Sequence, residues 1–251
     1  MPIWLEAGLW GWLAGGALLI GALLGYYLSI PARLIAAVMA FGSGVLISAL
    51  SFELMDEAYK EGGLVATASG FIAGAIIYTA ANWILAQHGA KHRKRSGEQQ
   101  ADEASQNNEN GAAIAIGALL DGIPESIVIG LSMLGGSKVS LVAVIAIFLS
   151  NIPEGMSSAA GMKTAGRSKL YIFGIWGGIT LIAGIAAILG YAVFSSFSNE
   201  VIAATTAVAA GAILAMIADT MMPEAFETAH NWAGLITVIG FLSAFMLTKM
   251  G

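Results

Sequence analysis

Residues 112–134 read AAIAIGALLDGIPESIVIGLSML, an apolar stretch with two carboxylates, Asp121 and Glu125, and a proline, Pro124, near its middle. Roughly 20 apolar residues make one helix across a bilayer core. A carboxylate at mid-bilayer costs roughly 2.5–3.5 kcal/mol on insertion scales, and a proline inside a helix costs about 3 kcal/mol when nothing compensates. Both costs fall here on one helical turn, so the turn needs an offsetting interaction. Asp121 and Glu125 stand four apart and share a helix face. Pro124 has no N–H for the Leu120 carbonyl and pushes that oxygen away, into the neighbourhood of the two acids.

The arrangement recurs. Leu149-Ser150-Asn151-Ile152-Pro153-Glu154-Gly155-Met156 sits in the next apolar stretch, and Met222-Pro223-Glu224 ends a later one. Ser150 and Glu154 share a face, and Pro153 frees the carbonyl of Leu149. Two kinked helices thus offer carboxylates, an amide, a hydroxyl and free carbonyls, an all-oxygen set that suits a divalent cation. Irregular backbone at membrane depth is tolerated where it lines a polar cavity. The structural alternative is a packing hinge, or a glutamic acid held neutral by a hydrogen bond to a neighbouring helix.

Composition extends the membrane reading to the whole chain. Of 251 residues, 57% are hydrophobic and 11% charged, against roughly 45–50% and about 25% in a soluble domain. Mean hydropathy is +0.79. So few charges cannot cover so much apolar surface in water, which excludes disorder, a soluble domain and a nucleic-acid binder. Cys is absent, which excludes thiolate metal sites and cysteine nucleophiles. The fold expected is an all-α integral membrane protein forming one transport domain over 1–251. Eight apolar stretches lie near 5–29, 34–55, 64–86, 112–134, 139–162, 170–195, 201–223 and 232–249. No Lys or Arg precedes Arg33, so the first stretch reads as a membrane helix and not a leader.

Basic residues give the orientation. Connections after the odd-numbered stretches hold Arg33, Lys91, Arg93, Lys94, Arg95, Lys163, Arg167 and Lys169, whereas Lys60, Lys138 and Lys249 lie on the other side. The bias places both termini outside the cytoplasm. The long connection at 87–110 opens with Lys91-His92-Arg93-Lys94-Arg95 and continues as a polar tract with no apolar periodicity. It reads as a disordered cytoplasmic loop whose basic cluster touches anionic lipid.

Asp121-Gly-Ile-Pro-Glu-Ser and Ser150-Asn-Ile-Pro-Glu-Gly resemble the fourth- and fifth-helix signatures of the ZIP (Zrt-, Irt-like) metal transporters. Those signatures are commonly His-Asn-x-Pro-Glu-Gly and His-Glu-x-Pro-His-Glu. The resemblance implies eight helices, both termini outside and a long variable cytoplasmic loop between helices three and four. Asp121 stands where the family has its first helix-four histidine, Gly122 replaces the asparagine and Glu125 matches the glutamate. Ser150 replaces the first helix-five histidine, Asn151 takes the next polar position, Glu154 follows the proline and Gly155 replaces the second histidine. This chain is a divergent member on that reading, without the intramembrane histidines. Its metal ligands would be Asp121, Glu125, Ser150, Asn151 and Glu154, with Glu53 contributing.

The function expected is therefore a divalent metal ion transporter in the plasma (inner) membrane. It moves zinc, manganese, iron or a similar ion toward the cytoplasm by alternating access, with the metal as cargo and no prosthetic group. The alternative is a proton-coupled transporter of a non-metal substrate that uses the same carboxylates. Glu53, Asp56, Glu57 and Glu61 form either an outer cation-attracting vestibule or ordinary interfacial acids. His88 and His92 flank the basic loop and read as solvated. His230, with Asp219, Glu224 and Glu227 nearby in sequence, reads either as a metal catch at the cytoplasmic mouth or as a solvated helix end. No phosphate-binding glycine loop, HExxH helix or nucleophile elbow occurs, so no enzyme is expected. The partners expected are metal ions and lipid, with no nucleic acid; a homodimer is one assembly open to such a chain.

Overall fold

The computed structural model describes residues 1–87, 110–136 and 138–250. Most of the loop expected at 87–110, with His88, His92 and the basic cluster, lies outside the described residues. The remainder is all-helical, with no strand among the described residues. In chain order the helices are α1 (Ile3–Tyr27), α2 (Ala32–Ala49), α3 (Met55–Leu85), α4 (Asn110–Leu131), α5 (Leu141–Thr164), α6 (Lys169–Phe194), α7 (Asn199–Met216), α8 (Met222–Ala229) and α9 (Ala233–Met250).

Local chemistry sets the ends. Pro31 (φ −58°) precedes α2, and Ser140 and Ser168 cap α5 and α6 by accepting from Ala143 N and Tyr171 N at 3.2 Å. A capping hydroxyl satisfies one of the orphan amides of the first turn. Gly135 and Gly136, at φ 66° and 80°, make the turn between α4 and α5.

Two helices run past the boundaries expected from sequence. α2 passes without a break through a π-helical turn at Leu50–Leu54 into α3. The helix is interrupted only at Gly63 (φ 69°, ψ −178°), a conformation open essentially to glycine alone. The acidic stretch taken as the end of the second span is therefore helical, and it carries an Asp56–Lys60 ion pair of 2.6 Å one turn apart. α7 likewise passes through a π-helical turn at Ile217–Met221 into α8. Pro223 does not end the helix there. It sits in the first turn after the π-turn, where the wide register absorbs a missing N–H. The break comes instead at His230 (φ 45°).

Among the described residues, five helical stretches are long and apolar enough to cross a membrane: Ile3–Tyr27, Ala32–Leu85, Leu141–Thr164, Lys169–Phe194 and Asn199–Met250. Ala32–Leu85 has 54 residues and Asn199–Met250 has 52. At 1.5 Å per residue each is about 80 Å long, more than twice a bilayer core of about 30 Å. Gly63 and His230 divide each into two rods.

α3 packs along α7, α2 along α9, α1 along α5 and α6, and α4 along α6. Glycines set these contacts. Where α3 meets α7, a Cβ on Gly74 would overlap the Val208 carbonyl oxygen, and one on Gly211 would overlap that of Phe71. Gly21 and Gly155 do the same between α1 and α5, against Ile152 and Leu18. Such close backbone approach gives dispersion contacts where lipid removes the hydrophobic drive between helices. The outer surface is apolar: Ile72, Ile76, Trp83, Leu181, Val238 and Leu242 are all exposed. A soluble monomer rarely shows apolar patches beyond a few hundred Å².

Gly211→Ala is expected to lower the thermal unfolding midpoint of the detergent-purified protein, since overpacking costs about 1–3 kcal/mol. Gly178→Ala, where a Cβ meets no atom within 4 Å, should leave the midpoint close to that of the wild type.

Candidate functional site

The carboxylates of all three Pro-Glu pairs, and Asp121, are inside the bundle. Asp121 and Glu125 are 2% exposed, Glu154 5% and Glu224 7%. None of the four is without a partner, as the cost of burying an acid requires. Ser126 Oγ donates to the Gly122 carbonyl at 2.8 Å, taking up an acceptor in the turn that Pro124 disrupts.

Asp121 is held from a third helix. Tyr78 Oη on α3 donates to its Oδ1 at 2.6 Å, with both side chains buried. Tyr78 was not anticipated; it lies among Gly74, Ile76 and Ile77 in an apolar run. That position, a tyrosine near the centre of an apolar span and away from its ends, was the available signal.

α5 carries the longest polar face. Ser150, Asn151, Glu154, Ser157 and Ser158 are all buried along it. Ser150 Oγ donates to the Ile147 carbonyl at 2.9 Å, and Asn151 Nδ2 to the Ala14 carbonyl of α1 at 3.1 Å. Asn151 thereby presents its amide to a small cavity that it shares with Gly122 and Ser126 of α4. One turn beyond Glu154, Ser157 Oγ donates to Glu224 Oε1 at 3.2 Å. Ser157 was also missed, although its spacing of three from Glu154 places it on the same face. Glu224, read from sequence as part of a cluster at the chain's cytoplasmic mouth, is thus tied to the α5 motif. The hydroxyls of Ser48 and Ser158 are buried with no hydrogen-bond partner among the described residues.

Glu53 is not brought to this group. Its Oε2 accepts from Ser140 Oγ at 3.1 Å, at the N-terminus of α5. Fourteen residues of helix separate Ser140 from Glu154, about 21 Å. Between them Leu46, Leu50, Leu54, Val128, Ile147 and Ile213 surround a narrow apolar cavity. Two of the other acids near Glu53 have structural partners: Asp56 pairs with Lys60, and Glu61 Oε2 accepts from Asn199 Nδ2 at 2.8 Å.

Among the described residues, no three His, Asp or Glu side chains converge closely enough to hold a metal ion. No metal-holding group forms around His230 among the described residues; its imidazole packs edge-on against Phe226, ring centroids 6.3 Å apart. Asp121 and Glu125 on α4, and Ser150, Asn151 and Glu154 on α5, are each buried. Any cation there would take carboxylates with amide, hydroxyl and carbonyl oxygens, a hard donor set.

Tyr78→Phe removes one donor from a buried carboxylate, which costs about 1–3 kcal/mol. Thermal unfolding of the purified protein should show that loss, and a double-mutant cycle with Asp121→Asn should show strong coupling. Tyr59→Phe, at a side chain 56% exposed, is expected to be neutral.

No protein-family model matches the chain, and no curated protein matches it.

Proposed function

We propose that this chain is a divalent metal ion transporter of ZIP-like architecture, carrying metal toward the cytoplasm across the plasma (inner) membrane. The observation that carries the reading is the burial of Asp121, Glu125 and Glu154 in proline-kinked apolar helices. Intramembrane acids are expensive and mark ion pathways. On this reading the rods on either side of Gly63 and His230 are separate crossings, which makes eight spans. Both termini are then extracytoplasmic and the 87–110 connection is cytoplasmic, in keeping with the bias of Lys and Arg.

Glu125 and Glu154 are the principal ligands in this proposal, completed by the Asn151 amide oxygen, Ser150 and the carbonyls that Pro124 and Pro153 release. Asp121, already bound by Tyr78, joins as the helices move. Glu53 lies at the outer mouth and Glu224 lies inward of the site, with the apolar layer around Leu50 and Ile147 between Glu53 and Glu154. Alternating access requires that this layer part while the inner side closes.

A second reading, proton-coupled transport of a non-metal substrate, draws on the hydroxyls that bind two of the acids, Tyr78 on Asp121 and Ser157 on Glu224. Hydrogen-bonded acids of this kind serve as proton relays. Proteoliposomes containing an internal fluorescent chelator separate the readings. A panel of zinc, manganese, iron, calcium and magnesium should reveal uptake of at least one ion. Protons moving with no metal flux would favour the second reading.

In that assay Glu125→Gln and Glu154→Gln should each reduce metal uptake to near background while the protein stays monodisperse. Uptake by both at the wild-type rate removes the site. The carboxylates bind metal only when deprotonated, so wild-type uptake should rise with pH and fall as the medium is acidified.

A further inference from the structure

The α1–α2 and α5–α6 connections, at one end of the bundle, are basic, and the stretches of chain around them carry no acid. Neither 7–52 nor 155–199 contains Asp or Glu, yet Arg33, Lys163, Arg167 and Lys169 lie there. Lys163 Nζ donates to the Tyr26 carbonyl at 2.6 Å and lies 5.0 Å from the Tyr26 ring centroid. Lys169 Nζ is 5.7 Å from the same ring and 5.3 Å from that of Tyr27. Two ammonium groups thus gather at one aromatic pair, and among the described residues neither has a carboxylate partner. Aromatic faces soften that charge without neutralising it.

Beside them is a cavity of about 320 Å³ between α1, α2 and α5, within the range of about 300–1,000 Å³ of small-ligand sites. Its lining is divided by chemistry. Ser29, Lys163 and Thr164 supply polar groups, whereas Leu28, Ile30 and Ile35 supply an apolar wall. An ammonium has three donors, so Lys163 keeps two after binding the Tyr26 carbonyl. α2 starts next to this cavity with no side-chain cap, and a helix N-terminus favours negative charge.

We propose that this cavity binds the phosphate of an anionic phospholipid. Lys163 meets the phosphate, Lys169 adds positive charge beside it, Ser29 reaches the glycerol oxygens and Leu28, Ile30 and Ile35 receive the first methylenes. Basic pockets between membrane helices bind lipid headgroups by this combination. The inference rests on the chain lying in a bilayer and is independent of what the chain transports.

Native mass spectrometry of the full chain in detergent, given equal phosphatidylglycerol and phosphatidylcholine of the same acyl length, tests it. The wild type should retain phosphatidylglycerol in preference. Lys169→Gln, which breaks no hydrogen bond, should weaken that retention about fivefold. Lys163→Gln should weaken it at least as much, and Lys163→Arg should restore most of it. Lys249→Gln, whose ammonium lies over Phe52 and Phe245 at the far end of the bundle, should behave as the wild type. Equal retention of the two lipids, or unchanged retention in folded Lys163→Gln and Lys169→Gln, overturns the proposal. Inorganic phosphate that protects the delipidated chain from heat as well as short-chain phosphatidylglycerol makes a soluble phosphate the occupant and overturns the lipid assignment.

Discussion

Where α3 crosses α7, Gly74 lies on the Val208 carbonyl and Gly211 lies on the Phe71 carbonyl, so backbone touches backbone with no side chain between. α2 meets α9 in the same reciprocal way through Gly44 and Gly240. In a bundle with so many large apolar side chains on its outer surface, hydrophobic burial does not choose partners, whereas close packing does. Every polar contact across the core depends on this. Tyr78 reaches Asp121, and Asn151 reaches the Ala14 carbonyl, because the helix axes come close enough for short side chains to span the gap.

The second constraint is the cost of the buried acids. A carboxylate removed from water needs donors near it, and here they come from distant parts of the chain. Tyr78 lies 43 residues from Asp121, and Ser157 lies 67 from Glu224. The acids therefore tie the helices together in addition to whatever they bind. Along α5 these groups form a continuous polar face from Ser150 to Ser158, closed above by the apolar layer around Leu50, Val128 and Ile147. Glu53 stays on the other side of that layer, fixed to the α5 N-terminus through Ser140. There the positive end of the helix dipole favours its negative charge.

Charge is also sorted between the ends of the bundle. Glu53, Asp56, Glu57 and Glu61 lie at one end of the α2–α3 rod, while Arg33, Lys163, Arg167 and Lys169 gather at the other. The aromatic rings of Tyr26, Tyr27 and Phe173 meet at the basic end, with centroids 5.1–6.2 Å apart; Tyr27 stacks on Phe173 and Tyr26 lies edge-on to both. Such a ring of aromatics and lysines is what a membrane–water boundary favours.

The helical character, the approximate place of each apolar stretch and the burial of Asp121, Glu125, Asn151 and Glu154 were all readable from the chain. Hydropathy and the Pro-Glu spacing are local properties, and local properties are visible in one dimension. The true length of the α2–α3 and α7–α8 rods was not, because a π-turn leaves no clear mark in composition and lets Pro223 sit inside a helix. Nor was the isolation of Glu53 from Glu154: both are acids in apolar surroundings, and only the packing shows about 21 Å of α5 between their levels. Tyr78 and Ser157 became site residues for the same reason. Which hydroxyl faces which carboxylate depends on how the glycine contacts set the rotation of each helix about its axis. That choice is made by the tertiary structure alone.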